Sequence, residues 1–159
     1  HRCDVIDYII GIDPGTACGW AVLDFDGRRL ASGTWDLGAR RHEGGGMRFV
    51  RLSRYLRELL DTYPGAVVAY EEVRRHLGTD AAHCYGGCIA TIAALCEIRE
   101  VPYQGVPVAT VKRAATGKGN AGKPEMIAAA RARWPEADIE SSDEADALWI
   151  GETWRRENV

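Results

Sequence analysis

Short apolar runs alternate with amphipathic stretches along this chain. Asp7 to Asp13 (DYIIGID) is an apolar run closed by Pro14-Gly15, which predicts a buried strand ending at a turn. Cys18 to Asp24 and Leu30 to Leu37 flank Asp26-Gly27, a dipeptide that favours a hairpin, so the first three strands should form a meander. After Gly44-Gly45-Gly46, Met47 to Tyr63 sets Phe49, Leu52, Leu56, Leu59 and Leu60 at helical spacing, with Arg and Glu between them. Pro64-Gly65 ends that helix, and Ala66 to Tyr70 (AVVAY) predicts a fourth strand that delivers Glu71 and Glu72 at its end.

Ala81 to Arg99, rich in Ala, Ile and Leu, predicts a long helix. Gly86-Gly87 inside it would cost about 1 kcal/mol each relative to Ala, so a close approach of another helix or of DNA is the expected compensation. Val101 to Val108 predicts the last strand and Thr110 to Thr116 a short helix. Gly117 to Gly122 reads as a loop, Pro124 to Trp134 as a helix with proline in its first turn, and Asp143 to Trp154 as the closing helix. A strand meander followed by alternating helices and strands is an α/β order, and neither a repeat nor a linker divides it. The expectation is one domain over residues 1–159, with its core at about 8–156.

Composition narrows the class. Of 159 residues, 46 % are hydrophobic and 27 % charged, which disfavours disordered and fibrous chains. No apolar run in this reading approaches the roughly 20 residues of a membrane span, so a cytoplasmic protein without membrane contact is expected. Five cysteines, at 3, 18, 84, 88 and 96, lack framework spacing and read as reduced thiols. His83, Cys84 and Cys88 fall short of the four ligands of a structural zinc site. The net charge of −3 speaks weakly against a nucleic-acid binder, but its distribution matters more than its total.

The candidate chemistry is acidic. Two predicted strand ends carry Asp13 and Glu71-Glu72, and Asp143 and Asp146 stand three apart, on one face of the closing helix. Ser141 or Ser142 could cap that helix, and capping alone would account for Asp143 and Glu144. Asp146, a turn further in, and the acids at the same rim of the sheet favour a convergent cluster instead. Hard carboxylate oxygens suit Mg²⁺ or Mn²⁺, and paired ions about 3.5 to 4 Å apart can clamp a phosphodiester displacement. Without cations the acids should repel one another and raise their own pKa values.

Ile10-Gly11-Ile12-Asp13-Pro14-Gly15-Thr16, Ala69-Tyr70-Glu71-Glu72-Val73 and Asp143-Glu144-Ala145-Asp146-Ala147-Leu148 together resemble RuvC Holliday junction resolvases, in order and in separation, over about Ile9 to Ile150. The resemblance implies an RNase H-like fold, with a mixed five-stranded sheet flanked by helices. It implies a homodimer on four-way DNA junctions in a bacterial or phage-infected cell, acting in recombination, repair or phage DNA processing. It further implies two Mg²⁺ per active site, with Mn²⁺ able to substitute, and nicks that leave 5′-phosphate and 3′-hydroxyl ends.

By position, the resemblance makes Asp13 the bridge between the metals, with Glu71, Asp143 and Asp146 completing the shells around an attacking water. The family's Glu-x-Val pattern and strand alternation both favour Glu71 over Glu72. Val111-Lys112 and Gly117 to Lys123 resemble the family's basic stretch, so Lys112, Lys118 and Lys123 become expected DNA contacts. Arg113, Arg131 and Arg133 would extend the local field, although the last two read rather as surface charges. Where bacterial resolvases carry an aromatic after Glu-x-Val, this chain has Arg74, Arg75 and His76. Arg74 can stack on bases or bind phosphate. Glu-Glu-Val-Arg-Arg-His resembles phage and prophage members, which extends the expected substrates to forks and flaps.

Two other classes compete. The Gly-Ile-Asp-Pro-Gly-Thr loop also looks like the phosphate loop of sugar kinases and actin-like ATPases, but those need a second lobe for which this chain is too short. A non-catalytic branched-DNA-binding module would have no need to retain all four carboxylates.

Overall fold

In a computed structural model that describes residues 5–75 and 78–159, every predicted strand and helix is present. The meander is β1 (Tyr8–Asp13), β2 (Ala17–Asp24) and β3 (Arg29–Asp36). Helix α1 (Met47–Thr62), strand β4 (Ala66–Glu72), helix α2 (Thr79–Arg99) and strand β5 (Tyr103–Pro107) follow. Three helices close the chain: α3 (Val108–Thr116), α4 (Lys123–Arg133) and α5 (Ser142–Asn158). The sheet order is β3-β2-β1-β4-β5, antiparallel through the meander and parallel from β1 to β4 and β5. This is the mixed five-stranded sheet flanked by helices that the sequence led us to expect.

Period-two alternation gives the sheet two apolar faces. Ile9, Leu23, Val67 and Ala69 face α3, α4 and α5, where Val111, Met126, Trp134, Leu148 and Trp149 fill the core. Ile10, Ile12, Val22 and Val68 face α1 and α2, against Leu52, Leu56, Cys88 and Ile92. Odd-numbered residues of both β1 and β4 therefore look toward α5.

Helix α5 lies unusually close to the sheet because glycines leave it room. A Cβ on Gly11 would collide with the Ala147 carbonyl and stand 2.9 Å from the Gly151 nitrogen; one on Gly19 would overlap the Asp143 carbonyl. Gly87 has a comparable role on the other face, where the Phe49 ring of α1 occupies the space a side chain would need. The expected compensation for Gly87 is thus a helix–helix contact, while Gly86 has nothing within 4 Å of its Cβ position.

Two expectations need correction. α2 is long and apolar enough to cross a membrane by length and composition, with a mean hydropathy of 1.4 over its best window. It nonetheless packs Cys84, Cys88, Ile92, Leu95 and Cys96 into the second core. Arg131 and Arg133 are not free surface charges. Arg131 donates to the Ile139 carbonyl at 2.7 Å, and Arg133 donates to the Gly27 carbonyl at 3.0 Å while pairing with buried Glu152. Trp134 also donates to the Gly27 carbonyl, at 3.0 Å, and Gly27 holds φ +87° at the predicted hairpin turn. These contacts fasten the β2–β3 turn to α4 and α5.

Candidate active site

Asp13 ends β1 and Glu71 lies at the end of β4, the neighbouring parallel strand. Ile12 pairs with Tyr70, so one further step along the register sets Asp13 beside Glu71 on the face that looks toward α5. Glu72 takes the other face, where it pairs with Arg74 at 3.2 Å and lies against Gly105. The register thus makes Glu71, and not Glu72, the neighbour of Asp13.

The third contributor arrives through the glycines. Asp13 is the cross-strand partner of Gly19, and the Asp143 carbonyl sits directly over Gly19. The first turn of α5 is therefore delivered to the end of β1. Ser141 caps this helix, its Oγ accepting from the Asp143 and Glu144 N–H groups at 3.1 and 3.4 Å. Capping by Ser141 and clustering of Asp143 and Asp146 are compatible outcomes.

Electrostatics record the convergence. Asp13, only 9 % exposed, has its pKa raised well above the usual carboxylate range, first by burial and then by Glu71, Asp146 and Asp143. Glu71 is the foremost of these charges, in keeping with its place beside Asp13 across the parallel pair of β1 and β4. Asp146 is pushed up to about 7, chiefly by burial and then by Glu71 and Asp143, while Lys112 and Lys123 pull in the opposite direction. Those two lysines, from α3 and the start of α4, therefore sit at the edge of the acidic cluster. Lys118 is exposed and pairs with Glu125 at 3.6 Å. Arg74 is 82 % exposed and carries only its partner Glu72. His76 and Cys3 lie outside the described residues.

Among the described residues none of the four acids forms an ion pair, and no three potential ligands close into a ready coordination shell. They share a field instead. An all-oxygen, uncompensated, half-buried donor set fits hard divalent cations, whose charge would reverse the pKa shifts of Asp13 and Asp146. Tyr85 of α2 escaped the sequence reading: its hydroxyl donates to the Glu71 carbonyl at 2.9 Å and accepts from the Val73 N–H at 3.0 Å, holding the end of β4. No local pattern marks a tyrosine inside a helix for that role.

The chain's residues 9–153 match the family model for crossover junction endodeoxyribonuclease RuvC. It belongs to the RuvC family. Among relatives of that name, the Gluconobacter oxydans protein is 32 % identical over 153 residues, covering 89 % of this chain and 86 % of its own. The Bartonella quintana protein is 31 % identical, covering 88 % of this chain and 84 % of its own. The Thermus thermophilus RuvC structure in complex with Holliday junction substrate aligns at a TM-score of 0.80 with 26 % identity, over 92 % of this chain and 91 % of that one. The yeast mitochondrial Holliday junction resolvase Ydc2 aligns at 0.61 with 16 % identity, over 93 % of this chain and 77 % of its own, a likeness of fold. As a RuvC-family member, this chain is a nuclease with an RNase H-like fold.

Proposed function

We propose that this chain is a single-domain Holliday junction resolvase, hydrolysing phosphodiester bonds at a centre built from Asp13, Glu71, Asp143 and Asp146. The observation that carries this reading is the mutual electrostatic coupling of these acids in a RuvC-family fold, with Lys112 and Lys123 at their edge. Divalent cations, two Mg²⁺ or Mn²⁺ in this reading, would polarise the phosphoryl oxygens and acidify the attacking water. Asp13, beside Glu71 on β4 and below the first turn of α5, would hold such cations together with the other three acids. Lys112 and Lys123 would hold the phosphate against the acids, while Lys118 and Arg74 would contact DNA further out.

The arrangement serves four-way junctions as a homodimer in the bacterial cytoplasm, because two-fold symmetric DNA needs paired active sites. Helix α2 supports the pairing: only 28 % of its most apolar window is buried within the protein, which leaves Gly86, Ala90 and Ala94 open. Forks and flaps, and a phage or prophage origin, rest on the Arg74-Arg75 replacement of the aromatic alone.

The test is a Mg²⁺ titration on labelled four-way, forked and linear DNA. Paired nicks on the junction by the native chain are expected, with Asp13→Asn binding the same DNA without cutting it. Incision that survives Asp13→Asn would remove Asp13 from the centre.

A further inference from the structure

Strands β1 and β4 diverge at the acidic end of the sheet, and their divergence leaves backbone groups to be satisfied. The Val68 N–H donates to the Pro102 carbonyl at 2.9 Å, so even-numbered residues of β4 direct their backbone groups toward β5 and odd-numbered ones toward β1. Ile12 pairs with Tyr70, which sets Glu71 opposite Asp13. In a parallel ladder the Glu71 carbonyl would accept from the N–H of the residue after Asp13. That residue is Pro14, which has none. The Val73 N–H lies one ladder step further on, where β1 has ended and the chain bends through Gly15 and Thr16 into β2. Two backbone groups beside Glu72 thus face a gap where β1 would continue, and leaving such groups unpaired is costly.

A side chain from α2 fills the gap. The Tyr85 hydroxyl donates to the Glu71 carbonyl at 2.9 Å and accepts from the Val73 N–H at 3.0 Å, one oxygen serving as donor and acceptor at once. Tyr85, Pro14 and Val73 line one cleft of about 220 Å³, in keeping with a ring that reaches between the two strand ends. Helix α2 packs on the face of the sheet away from α5, so the hold of Tyr85 on Glu71 is through the backbone and not through the carboxylate. The bridge spans Glu72 and fixes the peptide planes on either side of it. Those planes help decide which way the Glu71 carboxylate leaves the strand, and Glu71 is the charge most strongly felt by both Asp13 and Asp146.

We infer that Tyr85 is a positioning residue for the acidic centre: its hydroxyl takes over the ladder contact that Pro14 cannot make, and thereby holds the Glu71 carboxylate in place beside Asp13. The inference rests on the nuclease reading and adds to it a residue, outside the four acids, on which their spacing depends. A proline after Asp13 ends the ladder and opens that end of the sheet, and the tyrosine restores the bonds lost in the opening. Tyr85 takes no part in the chemical step. It acts on cation affinity, by keeping two carboxylates within reach of a shared ion.

The test compares the native chain with Tyr85→Phe, which keeps the ring and removes only the oxygen. Mn²⁺ affinity, measured by calorimetry without DNA, should weaken about tenfold, the lower end of what is lost when a partner that orients a metal ligand is removed. Cleavage of a saturating four-way junction at limiting Mg²⁺ should fall by a similar factor, while junction affinity in a chelator stays native. Hydrogen exchange should show the Val73 amide protected in the native chain and exposed in the variant. Tyr103→Phe, which deletes a phenolic oxygen that donates to Glu97 at the opposite end of β5, should alter none of these. Native Mn²⁺ affinity in Tyr85→Phe overturns the inference, as does a loss confined to junction affinity, and both leave the nuclease reading standing if the native chain nicks junctions. Should Tyr85→Phe fail to fold, the Val73 amide of the native chain decides: protection keeps the bridge and free exchange removes it. A native chain that does not cut four-way junctions sinks both readings.

Discussion

At the residue scale, Asp146 is the informative group. Its folded pKa stands at about 7 against an ordinary value of 3.8, so the folded chain holds this proton more tightly than the unfolded chain does. The stability it contributes is complete below about pH 4 and is lost as pH rises through about 7, a loss on the order of 4 kcal/mol. Asp13 shifts in the same direction. In a metal chelator, the melting temperature of the native chain should therefore fall between pH 5 and pH 8. Asp146→Asn should flatten that fall and melt higher at the alkaline end. Calorimetry at the two pH values checks this, and an equally steep fall in the variant would mean that Asp146 is not the strained group. Added Mg²⁺ should restore much of the native chain's loss at pH 8, because cation and proton compete for the same oxygens.

At the element scale, the placement of α5 is decided by the absence of side chains beneath it. Gly11 and Gly19 let its backbone descend onto β1 and β2, and that descent brings Asp143 over the partner of Asp13. Gly19→Ala should push the start of α5 outward, costing about 1 to 3 kcal/mol as an overpacked contact. It should lower junction cleavage far more than Gly11→Ala, whose collision lies a turn further along the helix. Chemical denaturation paired with cleavage rates separates the two effects; equal activity losses at equal stability would show that α5 moves as a whole. At its far end, α5 is held independently by Glu152, 1 % exposed, which pairs with Arg133, Arg155 and Arg156.

At the scale of the whole molecule, the open face of α2 separates folding from assembly. Gly86 has free space around it, so Gly86→Leu should leave the isolated fold intact and favour the helix by about 1 kcal/mol. If that face packs against a second copy, the same substitution should split the dimer and uncouple the two nicks on a junction. Sedimentation of the native and variant chains decides it, and a variant that stays dimeric would remove this face from the interface. Gly87→Ala is the contrasting case, since Phe49 already fills that space.

What the amino-acid sequence determined by itself was the order and kind of every element, because hydrophobic period, turn dipeptides and proline are local signals. Its motifs also identified the family, and placed acids at two strand ends and on one helix face. The tertiary structure decided what depends on long-range approach. Strand register distinguished Glu71 from Glu72, glycines set the height of α5, and Tyr85 was placed at the end of β4. Arg131 and Arg133 were drawn into holding the fold. Each of these joins residues distant in the chain, so the energy that fixes them exists only once both sides of the sheet have packed.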